Sequence, residues 1–114
     1  ENVPFYSDKK LMHSIIQNLI ENPIKYLDTK KSINTLDIRI SVTKKLTELI
    51  FTDNGLGISK EHQKHIFDMF FKAHENANGT GLGLYIVKTT VEKLKGVIQL
   101  DSEPGKGSTF IVRF

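Results

Sequence analysis

The sequence predicts an α/β fold of the α+β kind: a two-layer sandwich whose mixed, mostly antiparallel sheet is covered on one face by about three helices. Two observations predict it. Stretches of alternating apolar residues come in pairs, over 36–52 and 97–112. Stretches with apolar residues at helical spacing precede and separate them, over 11–27, 59–70 and 82–94. A helix with one apolar stripe buries it against one sheet face, which gives two layers.

The elements follow in order. Ser7 is placed to cap a helix carrying Leu11, Met12, Ile15, Ile16, Leu19 and Ile20. Pro23 removes a helix hydrogen bond and crowds the preceding turn, so a break is expected just after Asn22. Leu36, Ile38, Ile40 and Val42 alternate with Asp37, Arg39 and Ser41, as in a half-buried strand. Lys44-Lys45 turns the chain into a second strand, Leu46 to Thr52, which delivers Asp53 at its end. Ser59 caps a helix to about Phe70, with Ile66, Phe67, Met69, Phe70 and Phe71 as an apolar patch. Residues 72–78 are small or polar and read as a mobile loop. Leu82 to Leu94 is a helix ended by Gly96. Val97–Leu100 and Thr109–Val112 are closing strands around a Pro104-Gly105 turn.

Composition excludes several classes of function. A chain of 114 residues makes one domain with a single core. Without cysteine there is no disulfide, thiolate zinc site or cysteine nucleophile. The net charge of +3 comes with lysines spread along the chain and two arginines only, Arg39 and Arg113, so no nucleic-acid partner is expected. No apolar run reaches the roughly 18 residues of a membrane span, and no secretory pattern opens the sequence. The start at Glu1, without methionine, is expected of a piece of a longer polypeptide.

Seven of the eight glycines fall in three clusters: Asp53-Asn54-Gly55-Leu56-Gly57, Gly79-Thr80-Gly81-Leu82-Gly83 and Gly105-Lys106-Gly107. Glycine lets backbone approach a ligand closely. A carboxylate at a strand end, such as Asp53, can accept a hydrogen bond from an exocyclic amine, as on adenine, for roughly 1.5–3 kcal/mol. The same three residues also read as an ordinary Asp-Asn-Gly turn. Gly79–Leu84 runs straight into a helix, so its N–H groups can face an anion, with the Thr80 hydroxyl beside them. A hinge before a helix reads the same way. Rossmann and P-loop patterns are both absent.

Asn18 and Asn22 stand four apart on one helix face, and amide oxygens suit magnesium; two solvated amides is the plainer reading. Lys25 and Tyr26, one turn on, can reach a phosphate and a nucleotide. His62 and His65 have metal-compatible spacing without a third ligand; His13 lies on the helix flank and His74 in the loop.

Together these segments resemble the catalytic and ATP-binding domain of sensor histidine kinases, a superfamily shared with type II topoisomerase ATPase subunits, MutL and heat-shock chaperone ATPases. The resemblance runs from Ser7 to the last strand. Asn18-Leu-Ile-Glu-Asn22-Pro-Ile-Lys25-Tyr26 resembles the N box and Asp53–Gly57 the G1 box. Ile66–Phe71 resembles the F box, Gly79–Leu84 the G2 box and Gly105–Thr109 the last glycine box.

The resemblance implies a Bergerat-type fold and magnesium-ATP as ligand. Asn22 is then the magnesium ligand, with Asn18 beside the nucleotide, and Asp53 the adenine selector within Gly55 and Gly57. Lys25 contacts phosphate and Tyr26 lines the nucleotide. Gly79, Thr80, Gly81, Leu82 and Gly83 hold the triphosphate, residues 72–78 form a short ATP lid, and Thr109 joins the adenine water network. Lys72 stands near the γ-phosphate, where many relatives carry arginine.

Two departures are informative. Pro23 replaces the usual alanine or serine. Asn18 occupies the place of the glutamate that activates water in hydrolytic relatives, and Glu21 lies about 100° around the helix. This favours phosphoryl transfer to a histidine on a separate dimerisation domain, expected upstream of Glu1, with a response regulator downstream in a two-component relay. The fragment alone is then a cytoplasmic, non-autophosphorylating kinase domain without direct membrane contact, whether or not its parent is anchored. The alternatives are a degenerate nucleotide-binding or docking module and an ATPase of the same superfamily.

Overall fold

The computed structural model describes residues 4–74 and 79–114. Residues 75–78 of the expected lid therefore lie outside the described part of the chain. Helix α1 spans Lys9–Lys25. Its cap is Asp8, not Ser7: the Asp8 carboxylate accepts from Leu11 N–H at 3.0 Å. The Asp8 carbonyl closes the first turn with Met12 N–H at 2.9 Å, which fixes the helix start one residue later than expected.

Nor does the helix break after Asn22. It runs through Pro23 to Lys25, and Tyr26 N–H closes the last turn on Asn22 at 3.2 Å. Pro23 costs one hydrogen bond, but its ring is buried, and only two helical residues follow it.

Strands β1 (Leu36–Val42), β2 (Thr47–Asp53), β3 (Val97–Glu103) and β4 (Gly107–Arg113) form one sheet in the order β1-β2-β4-β3. All three pairings are antiparallel, so the parallel component of the expected mixed sheet is absent among the described residues. Leu49, Phe51, Phe110 and Val112 point from the two central strands into the core, where Ile15 and Leu19 of α1 pack with Val87 and Val91 of the third helix. All four helical residues are fully buried.

Helix α2 spans only Lys60–Gln63, capped by Ser59 as expected, and irregular turns replace the rest of the predicted helix to Phe70. Phe70 itself has φ +65°, which no α-helix accommodates. The expected apolar patch divides there. Ile66 is buried and Phe67 and Phe71 half-buried, while Met69 and Phe70 are exposed.

Helix α3 spans Gly83–Lys93. Lys95, not Gly96, takes the left-handed position after it, at φ +62°. Lys95 N–H bonds Glu92 and Gly96 N–H bonds Val91, both at 2.9 Å, the paired bonds of a Schellman ending.

The margin of the sheet also differs from expectation. Ile38 and Ile40 share the helix-facing side with Phe51 and Leu49, their partners in register, yet are 41% and 62% exposed. Helix α1 sits over β2 and, among the described residues, leaves Ile38 and Ile40 at the β1 edge largely uncovered.

Candidate functional site

Asp53 ends β2 at the centre of the sheet, directly opposite Ser108 at the start of β4. It is 9% exposed. Burial raises its pKa above the ordinary carboxylate value, and three partners offset part of that: N–H donation from Gly55 and from Ser108, and the charge of Lys31. Gly55 N–H lies 2.9 Å from Oδ1. Because β2 pairs with β1 and β4, Asp53–Gly55 does not turn a hairpin; the chain leaves the sheet here towards α2.

The loop is laced to three other segments. Leu56 N–H bonds the Tyr26 carbonyl at 3.0 Å, and Gly105 N–H bonds the Leu56 carbonyl at 2.8 Å. The Asn54 side chain clamps the 33–35 segment, accepting from Thr35 N–H at 2.7 Å and donating to the Ile33 carbonyl at 2.8 Å. Lys31 Nζ donates to the Asn54 carbonyl at 2.6 Å. Backbone is packed so tightly that a Cβ on Gly57 would overlap the Glu103 carbonyl, and one on Gly107 the Asp53 carbonyl. Both glycines also have positive φ, +73° and +116°.

Ser102, which no motif marks, ties these parts together. Its Oγ accepts from Ile58 N–H at 2.9 Å, donates to the Gly107 carbonyl at 2.8 Å and meets Ser108 Oγ at 2.7 Å.

A second group faces the glycine loop. Asn18, Asn22 and Lys25 of α1 and Tyr26 at its C-terminal cap line a cleft of about 20 Å³ with Lys72, Gly81, Gly83 and Leu84. Asn18 donates Nδ2 to the Ser14 carbonyl at 2.8 Å, which leaves Oδ1 towards Gly83. Lys25 Nζ lies against Gly79. Leu82 caps α3 without a side-chain bond, and its own N–H reaches Thr80 Oγ1 at 3.3 Å. The first turn of this 11-residue helix therefore keeps backbone donors and the positive end of its dipole for an anion.

Tyr26 joins the two groups. Burial raises its pKa, and a hydrogen bond with Ala73 N–H partly offsets that. His74 sits 5.4 Å from the Tyr26 ring, with Nε2 2.9 Å from the Gly57 carbonyl. A lone histidine in a polar loop gave no sequence signal for this contact.

Thr109 is not brought to the site. It pairs with Thr52 on the sheet face away from the helices, 3.3 Å between hydroxyls. β4 begins at Gly107, so strand alternation puts Ser108 beside Asp53 and turns Thr109 outward. His62 and His65 flank Phe71, with His65 Nδ1 bonded to Asp68 at 3.0 Å. No group of three or more His, Asp or Glu side chains able to hold a metal occurs among the described residues.

The sequence family described as histidine kinase-, DNA gyrase B- and HSP90-like ATPase matches residues 7–114. The chain belongs to that family. The heme sensor protein HssS of Staphylococcus saprophyticus is 37% identical over 114 residues, which is 100% of this chain and 24% of that protein. The sensor-like histidine kinase SenX3 of Mycolicibacterium smegmatis is 43% identical over 109 residues, 90% of this chain and 27% of that protein. The chain thus spans about a quarter of the length of these relatives. Among solved structures, the mycobacterial sensor histidine kinase MprB superposes with a TM-score of 0.81 over 95% of this chain and 74% of that one, at 24% identity, a likeness of fold. The family description and the likeness of fold agree with the expected α+β ATP-binding domain. No helix among the described residues is long and apolar enough to cross a membrane.

Proposed function

We propose that this domain binds magnesium-ATP and donates the γ-phosphate to a histidine of a separate dimerisation domain in a two-component relay. The observation that supports it best is the presence, beside the same helix α1, of a buried strand-end carboxylate, Asp53, and of a cleft that leads to an uncapped α3 N-terminus. Asp53 accepts from the exocyclic amine of adenine, and Gly55 and Gly57 keep the floor of that pocket low. Ser108, rather than Thr109, stands beside the base. Tyr26 flanks the nucleotide.

Phosphoryl transfer asks chiefly for positioning and charge neutralisation. Gly79, Thr80, Gly81, Leu82 and Gly83 supply backbone and hydroxyl donors to the triphosphate, and Lys25 adds a charge. Asn22, with Asn18 one turn before it, offers amide oxygens, the hard neutral donors that suit magnesium alongside phosphates and waters. Magnesium, when bound there, neutralises phosphate charge. Lys72 on the cleft rim faces the γ-phosphate end.

Transfer is favoured over hydrolysis because the Asn18 amide cannot take a proton from water. Glu21, the nearest carboxylate on α1, is bonded to Gln17 Nε2 at 3.0 Å on the exposed face. The acceptor histidine, its dimerisation domain and a response regulator complete the relay outside this chain, and the use of ATP places the module in the cytoplasm.

Isothermal calorimetry with ATP and magnesium tests the binding step, with Asp53→Asn as control. Labelled ATP with a matching dimerisation domain supplied in trans tests transfer. Binding without acid-labile phosphohistidine would instead favour a nucleotide-binding docking module.

A further inference from the structure

The two edges of the sheet are built differently. β3 carries Asp101 and Glu103 and no basic residue, so two copies of it meeting would set like charges together. β1 pairs with β2 through seven consecutive residues with no bulge, contains no proline and, among the described residues, has no strand on its outer side. Natural proteins usually blunt such an edge.

The residues of β1 are complementary to themselves. In an antiparallel pair of β1 strands with the two-fold axis at Ile38, Ile38 faces Ile38 and Leu36 faces Ile40 on the helix side. On the open side Asp37 faces Arg39, twice over. At present these two charges satisfy each other along one strand, Arg39 Nε to Asp37 Oδ2 at 2.9 Å, with side chains 77% and 59% exposed. Behind β1, Ile20, Pro23, Ile24, Leu27 and Leu36 line the apolar wall of a cavity of about 150 Å³ whose other wall is Asp53, Asn54 and Gly55. Ile24 and Leu27 are 64% and 43% exposed there.

We infer that β1 is a homotypic docking edge, where a second copy of this chain adds its β1 antiparallel, joining two four-stranded sheets into one of eight. The contact is isologous, so it closes at the dimer. Each Asp37 bonds Arg39 of the other copy, and Ile40 of the second copy arrives opposite Leu36 at the mouth of that cavity. The phosphate-side cleft stays open, because Asn18, Asn22 and Lys25 face α3 on the other side of α1, whereas Asp53 and Gly55 border the cavity that the second copy approaches.

Sedimentation equilibrium of the whole chain, without nucleotide, tests this. The wild type should dimerise with a dissociation constant below about 1 mM. Asp37→Arg leaves two arginines per edge and Arg39→Asp two aspartates; each alone should weaken the dimer about tenfold or more. An equimolar mixture of the two variants should recover it, since only the mixed pair restores both ion pairs. Ile38→Lys should abolish it. ATP binding by each variant checks folding. In the wild type itself, amide NMR shifts that move with concentration should centre on residues 36–42. A chain that stays monomeric at about 1 mM, variants that dimerise unchanged, or a mixture no tighter than its components would overturn the inference. So would concentration-dependent shifts centred elsewhere. A monomer that instead pairs β1 with an extended segment of another protein would also overturn it.

Discussion

The loop around Asp53, which the proposed function makes the base end, and the Asn18–Lys25 cleft, its phosphate end, are held by different numbers of hydrogen bonds. Around Asp53 the backbone is fixed by bonds from Tyr26, Leu56, Ile58, Ser102 and Gly105, and three glycines, Gly55, Gly57 and Gly107, sit where any Cβ collides. Around Asn18, Lys25 and the 79–83 loop the side chains are half-buried, no side chain caps α3 and the cleft narrows to about 20 Å³. Sites that enclose small ligands usually measure hundreds of Å³. On the proposed function, the base end is held in place by these bonds and the phosphate end widens around its ligand, so selectivity is expected at the first and the coupling to transfer at the second.

The largest expected effect breaks the base end. Gly107→Ala places a methyl on the Asp53 carbonyl at a φ of +116°. Strain and overpacking together cost roughly 2–5 kcal/mol against a total stability of roughly 5–15. Thermal unfolding should show Tm lowered by about 10 °C or more, with nucleotide binding lost alongside.

Asp53→Asn separates recognition from folding. Losing a charge-assisted bond to the base should weaken ATP binding by roughly 10- to 100-fold in calorimetry. The unliganded fold responds to pH in a defined sense. Burial holds the folded-state pKa of Asp53 above its unfolded value, so this carboxyl favours the fold in acid and loses that contribution as pH rises through the folded-state pKa. The Tm of Asp53→Asn relative to wild type should therefore climb with pH across the carboxylate range. A flat difference would show that burial does not penalise the charge.

What the sequence shows of these two ends also differs. The base end is legible because its geometry leaves no alternative to glycine at 57 and 107, and because Asp53 ends an alternating strand. Thr109 is implied by the resemblance and not by the strand pattern: β4 starts at Gly107, so alternation sets Ser108 beside Asp53 and turns Thr109 outward. Pro23 and Gly96 misled for one reason. Local propensity argued for a break at the first and for Gly96 as the terminator, while burial of the proline ring and the close approach of Gly96 to Arg113 decided otherwise. Ser102 and His74 act through partners 44 and 17 residues away, contacts that only the fold creates.

At the phosphate end, Lys25→Ala should distinguish phosphate from base. With Lys25 Nζ against Gly79, its removal should weaken ATP about tenfold in calorimetry while adenosine, which lacks the phosphates, binds as before. Equal losses for both ligands would place Lys25 at the base instead and erase the division of labour between the ends.

Lys72 is the smallest expected effect and the most discriminating. It is exposed on the cleft rim, and a solvated lysine contributes little to ground-state affinity, so Lys72→Ala should change ATP binding by less than about threefold. If it meets the γ-phosphate only as charge develops during transfer, the rate of phosphohistidine formation in trans should fall about tenfold or more at saturating ATP. Lys72→Arg should then meet or exceed the wild-type rate, because a guanidinium offers the phosphoryl oxygens a two-pronged donor where an ammonium offers a point charge. Equal small losses in binding and rate would make Lys72 an ordinary surface lysine and would leave the work of the phosphate end to Lys25 and the α3 N-terminus.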